Sequence, residues 1–192
     1  MADNSKQPFF TDILELRRRA RSHIMQGAVT PDYKGDIKQA IDILNQALAT
    51  EIVCVLRYKN HYFMADGLES RSVAEEFKEH AIEEQEHADL IAERIVELGG
   101  NPDLNPKNLL SLSHSEYQEG ANLIQMIEED LIAERIAIES YREIIRYFGQ
   151  NDPTSRRLME EILAKEEEHA EDLVTLLGEL DISRKRSRMK LA

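Results

Sequence analysis

Tryptophan is absent from this 192-residue chain, and cysteine occurs once, at Cys54. A single cysteine excludes an intrachain disulfide and any paired-cysteine metal or redox module. Glycine, proline and aromatic residues are scarce while charged residues reach 32%. Few helix breakers and many charges are the profile of long solvated helices. No apolar run approaches the length of a membrane span, and the polar start from Met1 to Gln7 does not have the form of a secretion signal. The expectation is a cytoplasmic chain with no membrane partner, folded as one domain with a sizeable core. The net charge of −13 attracts cations and disfavours general nucleic-acid affinity, although acidic helical surfaces also serve solubility alone.

What is present is a set of four apolar stripes at helical spacing, each interrupted by one glutamate. The first runs Ile37, Ile41, Leu44, Leu48, Glu51, Val55, Tyr58, Tyr62. The second runs Val73, Phe77, His80, Glu84, His87, Ile91, and the third Ile127, Leu131, Glu134, Ile138, Tyr141, Ile145, Phe148. The fourth runs Met159, Ile162, Glu166, His169, Leu173, Leu176, Leu180. The spacing predicts long helices over about 36–65, 70–98, 115–148 and 154–180, and a short one within 9–26 whose small apolar face is Ile13, Leu14 and Leu16. The segment Asn101 to His114, with two prolines, reads as a long crossover between the second and third helices. The chain therefore divides into an N-terminal arm (1–35), an all-α antiparallel four-helix bundle (36–180) and a basic C-terminal tail (181–192).

Register brings the interrupting residues to one level. The midpoint between Glu51 and Glu84 falls at Gly67 and Leu68, and that between Glu134 and Glu166 at Gln150, inside Gly149-Gln150-Asn151-Asp152-Pro153. Both are expected turns. Each glutamate then lies roughly 15 residues, or roughly 22 Å, from its turn. The halves also repeat. Tyr58 follows Glu51 by seven residues as Tyr141 follows Glu134, and Glu84-Gln85-Glu86-His87-Ala88 is matched by Glu166-Glu167-Glu168-His169-Ala170. A pseudo-two-fold relation between two helix pairs follows.

A lone buried carboxylate is costly, so four facing one core need a cation to share. Glu and His at i and i+3 project from one helix face, so Glu84 with His87 and Glu166 with His169 can each bind one ion. Glu51 and Glu134 would each serve mainly one ion, and Glu84 and Glu166 could bridge both. Carboxylates and imidazoles without thiolate favour iron or manganese over structural zinc. The expected metals are two iron ions per chain, with manganese or zinc able to substitute. Open positions would admit O2 or H2O2, and the implied chemistry is oxidation of Fe(II).

The pattern Glu51, Tyr58, Glu84-x-x-His87, Glu134, Glu166-x-x-His169 resembles the ferritin-like superfamily over about residues 36–180. It is most similar to bacterioferritins and to the Dps-like proteins that carry a bacterioferritin-type site inside each subunit. The resemblance implies a ferroxidase centre formed by Glu51, Glu84, His87, Glu134, Glu166 and His169, with Tyr58 beside it. It also implies a homo-oligomeric hollow cage of twelve or twenty-four chains that stores ferric mineral. The N-terminal arm, and a basic tail where bacterioferritins carry a fifth helix, point to twelve. Two other classes use similar parts: a soluble di-iron or di-manganese oxidase or peroxidase related to rubrerythrin or manganese catalase, and a DNA-protecting cage. The second would use Arg17, Arg18, Arg19 and Arg21 with Arg184, Lys185, Arg186, Arg188 and Lys190; such basic segments are more often merely solvated.

Other residues read more plainly. Tyr58 and Tyr141 fit core positions, His80 is expected half-exposed rather than a further ligand, and His23, His61 and His114 show no partner pattern. Cys54 reads as a small packing residue. Haem-binding bacterioferritins place a methionine directly after the first glutamate of the second helix's ExxH, where this chain has Gln85. Protein produced with ample haem is therefore expected to show no low-spin Soret band; a stoichiometric bis-methionine haem spectrum would contradict this.

Overall fold

Caps set where the helices begin. Asp36 opens the first long helix by accepting from the Gln39 amide at 3.1 Å, and Asn122 opens the third by accepting from the Ile124 and Gln125 amides. Asp152 opens the fourth, accepting from the Ser155 amide at 2.9 Å, with Pro153 at the first helical position. The computed structural model describes residues 12–65 and 70–190, with side chains through residue 182. In chain order the helices are α1 (Ile13–Ala20), a 3-10 turn (Ile24–Gln26), α2 (Ile37–Met64), α3 (Arg71–Glu97), α4 (Pro106–Leu112), α5 (Leu123–Phe148) and α6 (Pro153–Lys190). The pairs α2–α3 and α5–α6 pack most extensively, and α2 faces α5 while α3 faces α6. There is no strand among the described residues.

Three departures from the sequence reading have physical causes. First, α5 starts at Leu123 rather than near 115. Gly120 sits at φ +65°, where a Cβ would meet the Met126 amide nitrogen at 2.8 Å, and the Glu116 and Gln118 carbonyls are used by side chains of α2. Second, α6 continues from 180 to Lys190, because nothing from Glu179 onward breaks a helix. Third, α2 is long and apolar enough, by length and composition, to cross a membrane, contrary to the reading that no run approaches that length. More than half of that stretch is buried inside the bundle, as expected of a core helix. The midpoint of the first pair at Gly67 and Leu68, and residues 9–11 of the expected short helix, lie outside the described residues.

The core is two apolar clusters stacked along the bundle. One gathers Leu44, Leu48, Ile91, Ile95, Phe148 and Met159 near the α5–α6 turn; the other gathers Val73, Phe77, Ile127 and Leu173 toward the opposite end. The arm reaches the first cluster through Val29 and Tyr33, and the Tyr33 hydroxyl donates to Asp152 at 2.9 Å. Asp152 also receives Arg94 from α3, so one carboxylate ties the arm, α3 and the start of α6 together.

Beside the second cluster, Arg57 and His61 of α2 meet Asp130 of α5 at 2.7 and 2.8 Å, all fully buried. Arg57 donates to the Glu116 carbonyl and His61 Nε2 bonds the Gln118 carbonyl, so the trio pins the end of the crossover. His61 shows no partner pattern in the sequence because its partner lies 69 residues away. Removing one member of a buried ion pair strands the other charge, at a cost of about 3–5 kcal/mol. Asp130→Ala is expected to lower the thermal midpoint by roughly 10 °C, followed by circular dichroism, with Arg57→Met/Asp130→Leu recovering part of the loss.

Candidate metal centre

Glu51 on α2, Glu84 and His87 on α3, Glu134 on α5, and Glu166 and His169 on α6 are brought to one level between the two apolar clusters. All six are buried. Their donor atoms form two overlapping groups, Glu51–Glu84–His87–Glu166 and Glu84–Glu134–Glu166–His169, with the atoms of each group within 4.8 Å of one another. Glu84 and Glu166 belong to both. His87 Nδ1 lies 3.1 Å from Glu166 and 3.3 Å from Glu51, and His169 Nδ1 lies 3.5 Å from Glu84. Both imidazoles therefore turn Nδ1 inward.

The tyrosines brace this arrangement crosswise. Tyr58 of α2 donates its hydroxyl to Glu134 Oε1 of α5, and Tyr141 of α5 donates to Glu51 Oε1 of α2. Each hydroxyl occupies one oxygen of a terminal carboxylate and leaves Oε2 facing the centre. Burial pushes both phenols well above their ordinary pKa, which keeps them as donors. Behind His169, Nε2 meets Glu83 at 2.7 Å, a carboxylate–imidazole pair that fixes which nitrogen faces inward. Sequence reading missed Glu83, whose only signal is adjacency to Glu84.

His80 also departs from expectation. Rather than half-exposed, it is buried at 2% exposure, stacked on the His169 ring at 4.0 Å, with Nδ1 3.2 Å from the Tyr58 hydroxyl. Burial, followed by the charge of His169, pushes it down to about 3.

The donor set fits two cations. Seven buried donor atoms have no hydrogen-bond partner: Glu51 Oε2, both Glu84 oxygens, His87 Nδ1, Glu134 Oε2, Glu166 Oε1 and His169 Nδ1. Such orphans are costly unless something else ligates them. Without metal the cluster holds protons instead. Burial and then the Glu84 charge push Glu51 and Glu166 well above the ordinary carboxylate range, and burial raises Glu134. Glu84 is held well below it, because protonated Glu51, His169 and His87 outweigh the cost of burial. Burial opposes charge on the imidazoles, but Glu51 and Glu84 push His87 up to about 10, and Glu84, Glu134 and Glu83 push His169 up to about 9. Two divalent cations would balance four carboxylates and leave both imidazoles neutral. Oxygen and imidazole donors without thiolate suit iron or manganese.

An all-helical bundle with this buried carboxylate–imidazole cluster defines a class, and the chain belongs to the ferritin-like family: the ferritin-like domain matches residues 41–183. A bacterioferritin of Rhodobacter capsulatus is 33% identical over 149 residues, spanning 77% of this chain and 88% of that protein. Among solved structures, the dodecameric thioferritin described as the bacterioferritin-related protein of Bacteroides fragilis is similar with a TM-score of 0.74 and 37% identity, covering 81% of this chain and 92% of that one. Dps from Thermosynechococcus elongatus shares the fold with a TM-score of 0.70 at 23% identity, over 73% and 90% of the two chains.

The raised imidazoles give the metal-free protein a pH signature. Their ordinary value is 6.5, so the stability they contribute is full below pH 6.5 and is lost progressively as pH rises toward about 9 and 10. Between pH 6.5 and 8.5 the thermal midpoint of metal-free protein is expected to fall by roughly 5 °C or more, and the increment given by saturating Co(II) to grow over the same range. A flat metal-free profile with a constant metal increment would contradict these protonation states.

Proposed function

We propose that this chain is a ferroxidase and iron-storage protein of the cytoplasm. It oxidises Fe(II) with O2 or H2O2 at an intrasubunit centre held by Glu51, Glu84, His87, Glu134, Glu166 and His169, and it keeps the ferric product inside a homo-oligomeric cage. The observation that carries this reading is the sharing of Glu84 and Glu166 by two buried four-ligand groups. Two ferrous ions bound there are substrates that each give up one electron. With peroxide as oxidant, the two electrons and two protons convert it to two waters; with O2 they yield peroxide.

The chain's residues do the positioning. Glu84 and Glu166 hold both ions at once, while Glu51 and Glu134 each complete one set. Tyr58 and Tyr141 keep the terminal carboxylates aimed inward through their hydroxyls. Four carboxylates match the charge of two divalent ions and offset the added charge on oxidation. The apolar clusters on either side restrict water.

A dodecamer is the assembly that the likeness to the dodecameric B. fragilis protein favours. A DNA-coating role has less support. In the arm, Arg18 pairs with Glu15 and Arg19 with Asp32 at 2.6 Å, so these cations are engaged within the chain. The side chains of Arg184 to Lys190 lie outside the described residues.

Stopped-flow oxidation of Fe(II) tests the centre. Glu84→Ala and Glu166→Ala are each expected to slow the initial rate by roughly 100-fold or more while remaining helical and assembled. Native mass near twelve chains, with ferric uptake far above two ions per chain, is the expected assembly result. Unchanged rates in both variants would overturn the centre. A stable dimer that stores no mineral would favour a soluble oxidase or peroxidase.

A further inference from the structure

We propose that Glu76, His80 and Asp172 form a third divalent-cation site, one helical turn outside the dinuclear cluster, which receives ferrous ions before they pass inward. His80 Nε2 lies 3.5 Å from Glu76 Oε1 and 3.8 Å from Asp172 Oδ2, and the donor atoms of all three residues lie within 4.8 Å of one another. None of the three belongs to the two groups already described. One imidazole nitrogen and two carboxylates are a donor set for a borderline divalent ion.

The pseudo-two-fold repeat supplies an internal control. The offset that maps Glu84 onto Glu166 and His87 onto His169 carries Glu76 to Leu158, His80 to Ile162 and Asp172 back to Leu90. The other half fills the equivalent places with three apolar residues, and Ile162 is buried there as part of the core. The fold therefore packs without a polar trio at this level. A fully buried histidine whose outer nitrogen faces two carboxylates on one side only is a feature that packing does not require.

Position gives the site its role, which rests on the ferroxidase reading. Its outer members are open to solvent, with side-chain exposures of 32% for Glu76 and 47% for Asp172, whereas His80 is 2% exposed. Its inner edge touches the centre. The His80 ring stacks on His169, and Nδ1 reaches the Tyr58 hydroxyl that holds Glu134. On the same helix Glu79 and Glu83, with Glu75, Glu86, Lys78 and Ile82, line a groove that is mostly acidic. A cation drawn along that groove meets carboxylates first, then an imidazole, and then the His169 side of the dinuclear cluster.

The test uses the assembled protein with Co(II) as the probe, read by anomalous scattering from soaked crystals and by equilibrium binding. Wild type is expected to hold three ions per chain, one of them on His80 Nε2. Glu76→Gln/Asp172→Asn, which leaves His80, Tyr58 and His169 untouched, is expected to hold two. Glu84→Ala is expected to empty the dinuclear positions and keep the third. At limiting Fe(II) the double variant should oxidise iron several-fold more slowly, with the deficit vanishing at saturating Fe(II). Two ions in wild type, or three retained in the double variant, would overturn the third site while leaving the dinuclear centre intact. An ion on His80 with none in the dinuclear positions of wild type would instead overturn the functional reading. An equal rate deficit at all iron concentrations would refute the receiving role.

Discussion

Four carboxylates occupy one buried volume at the middle of this bundle, and the surrounding structure answers the charge they create. No packing of apolar side chains can neutralise that charge; only protons or cations can. In the metal-free state protons on His87, His169 and the raised glutamates fill the role. That solution is poor, because seven donor atoms stay without hydrogen bonds. A cluster that is costly when empty and would be neutral with two divalent ions favours their uptake, and loading would release the protons it now holds.

The same constraint explains the crosswise tyrosines. The two helix pairs are separate hairpins joined by the crossover. Tyr58 reaches from the first pair to a carboxylate of the second, and Tyr141 reaches back from the second to the first. Each bond needs the partner pair to be in register. The centre therefore fixes the relative height of the two hairpins by directional bonds, which the non-directional burial of apolar surface does not supply. The Arg57–Asp130–His61 trio adds a second crossbar and holds the incoming crossover against α2.

Much of this was legible in the residues before any coordinates. The glutamate interrupting each apolar stripe, the two ExxH steps and the equal distances from two turns are local patterns, and a helix turns local spacing into a face. What was not legible involves pairs distant in sequence. Nothing local says that Tyr58 meets Glu134 or that His61 meets Asp130. His80 shows the limit most clearly. One turn from Glu84 within its stripe, it is expected half-exposed, yet α6 brings His169 against its ring and it is buried. The late start of α5 was hidden for a related reason, since the Glu116 and Gln118 carbonyls bond to α2 and not within a helix.

The pseudo-symmetry is also informative where it fails. Ligands and bracing tyrosines repeat in both halves, as a shared charge problem requires. The buried trio does not: the equivalents of Arg57, His61 and Asp130 are Ser140, Ile144 and Ala47. His80 likewise has Ile162 as its equivalent in the other half. All of these additions lie on the side where Tyr58 holds Glu134 and His80 stacks on His169. The two four-ligand groups are thus alike in their donors and unlike in what stands behind them. The group containing His169 has an ordered polar shell, with Glu83 on Nε2 and His80 against the ring. For the group containing His87, the position matching Glu83 is Lys165, which cannot accept a hydrogen bond from an imidazole. Such backing raises the basicity of a ligating imidazole and orients it, and the carboxylate that supplies it to His169 has no counterpart at the matching position behind His87.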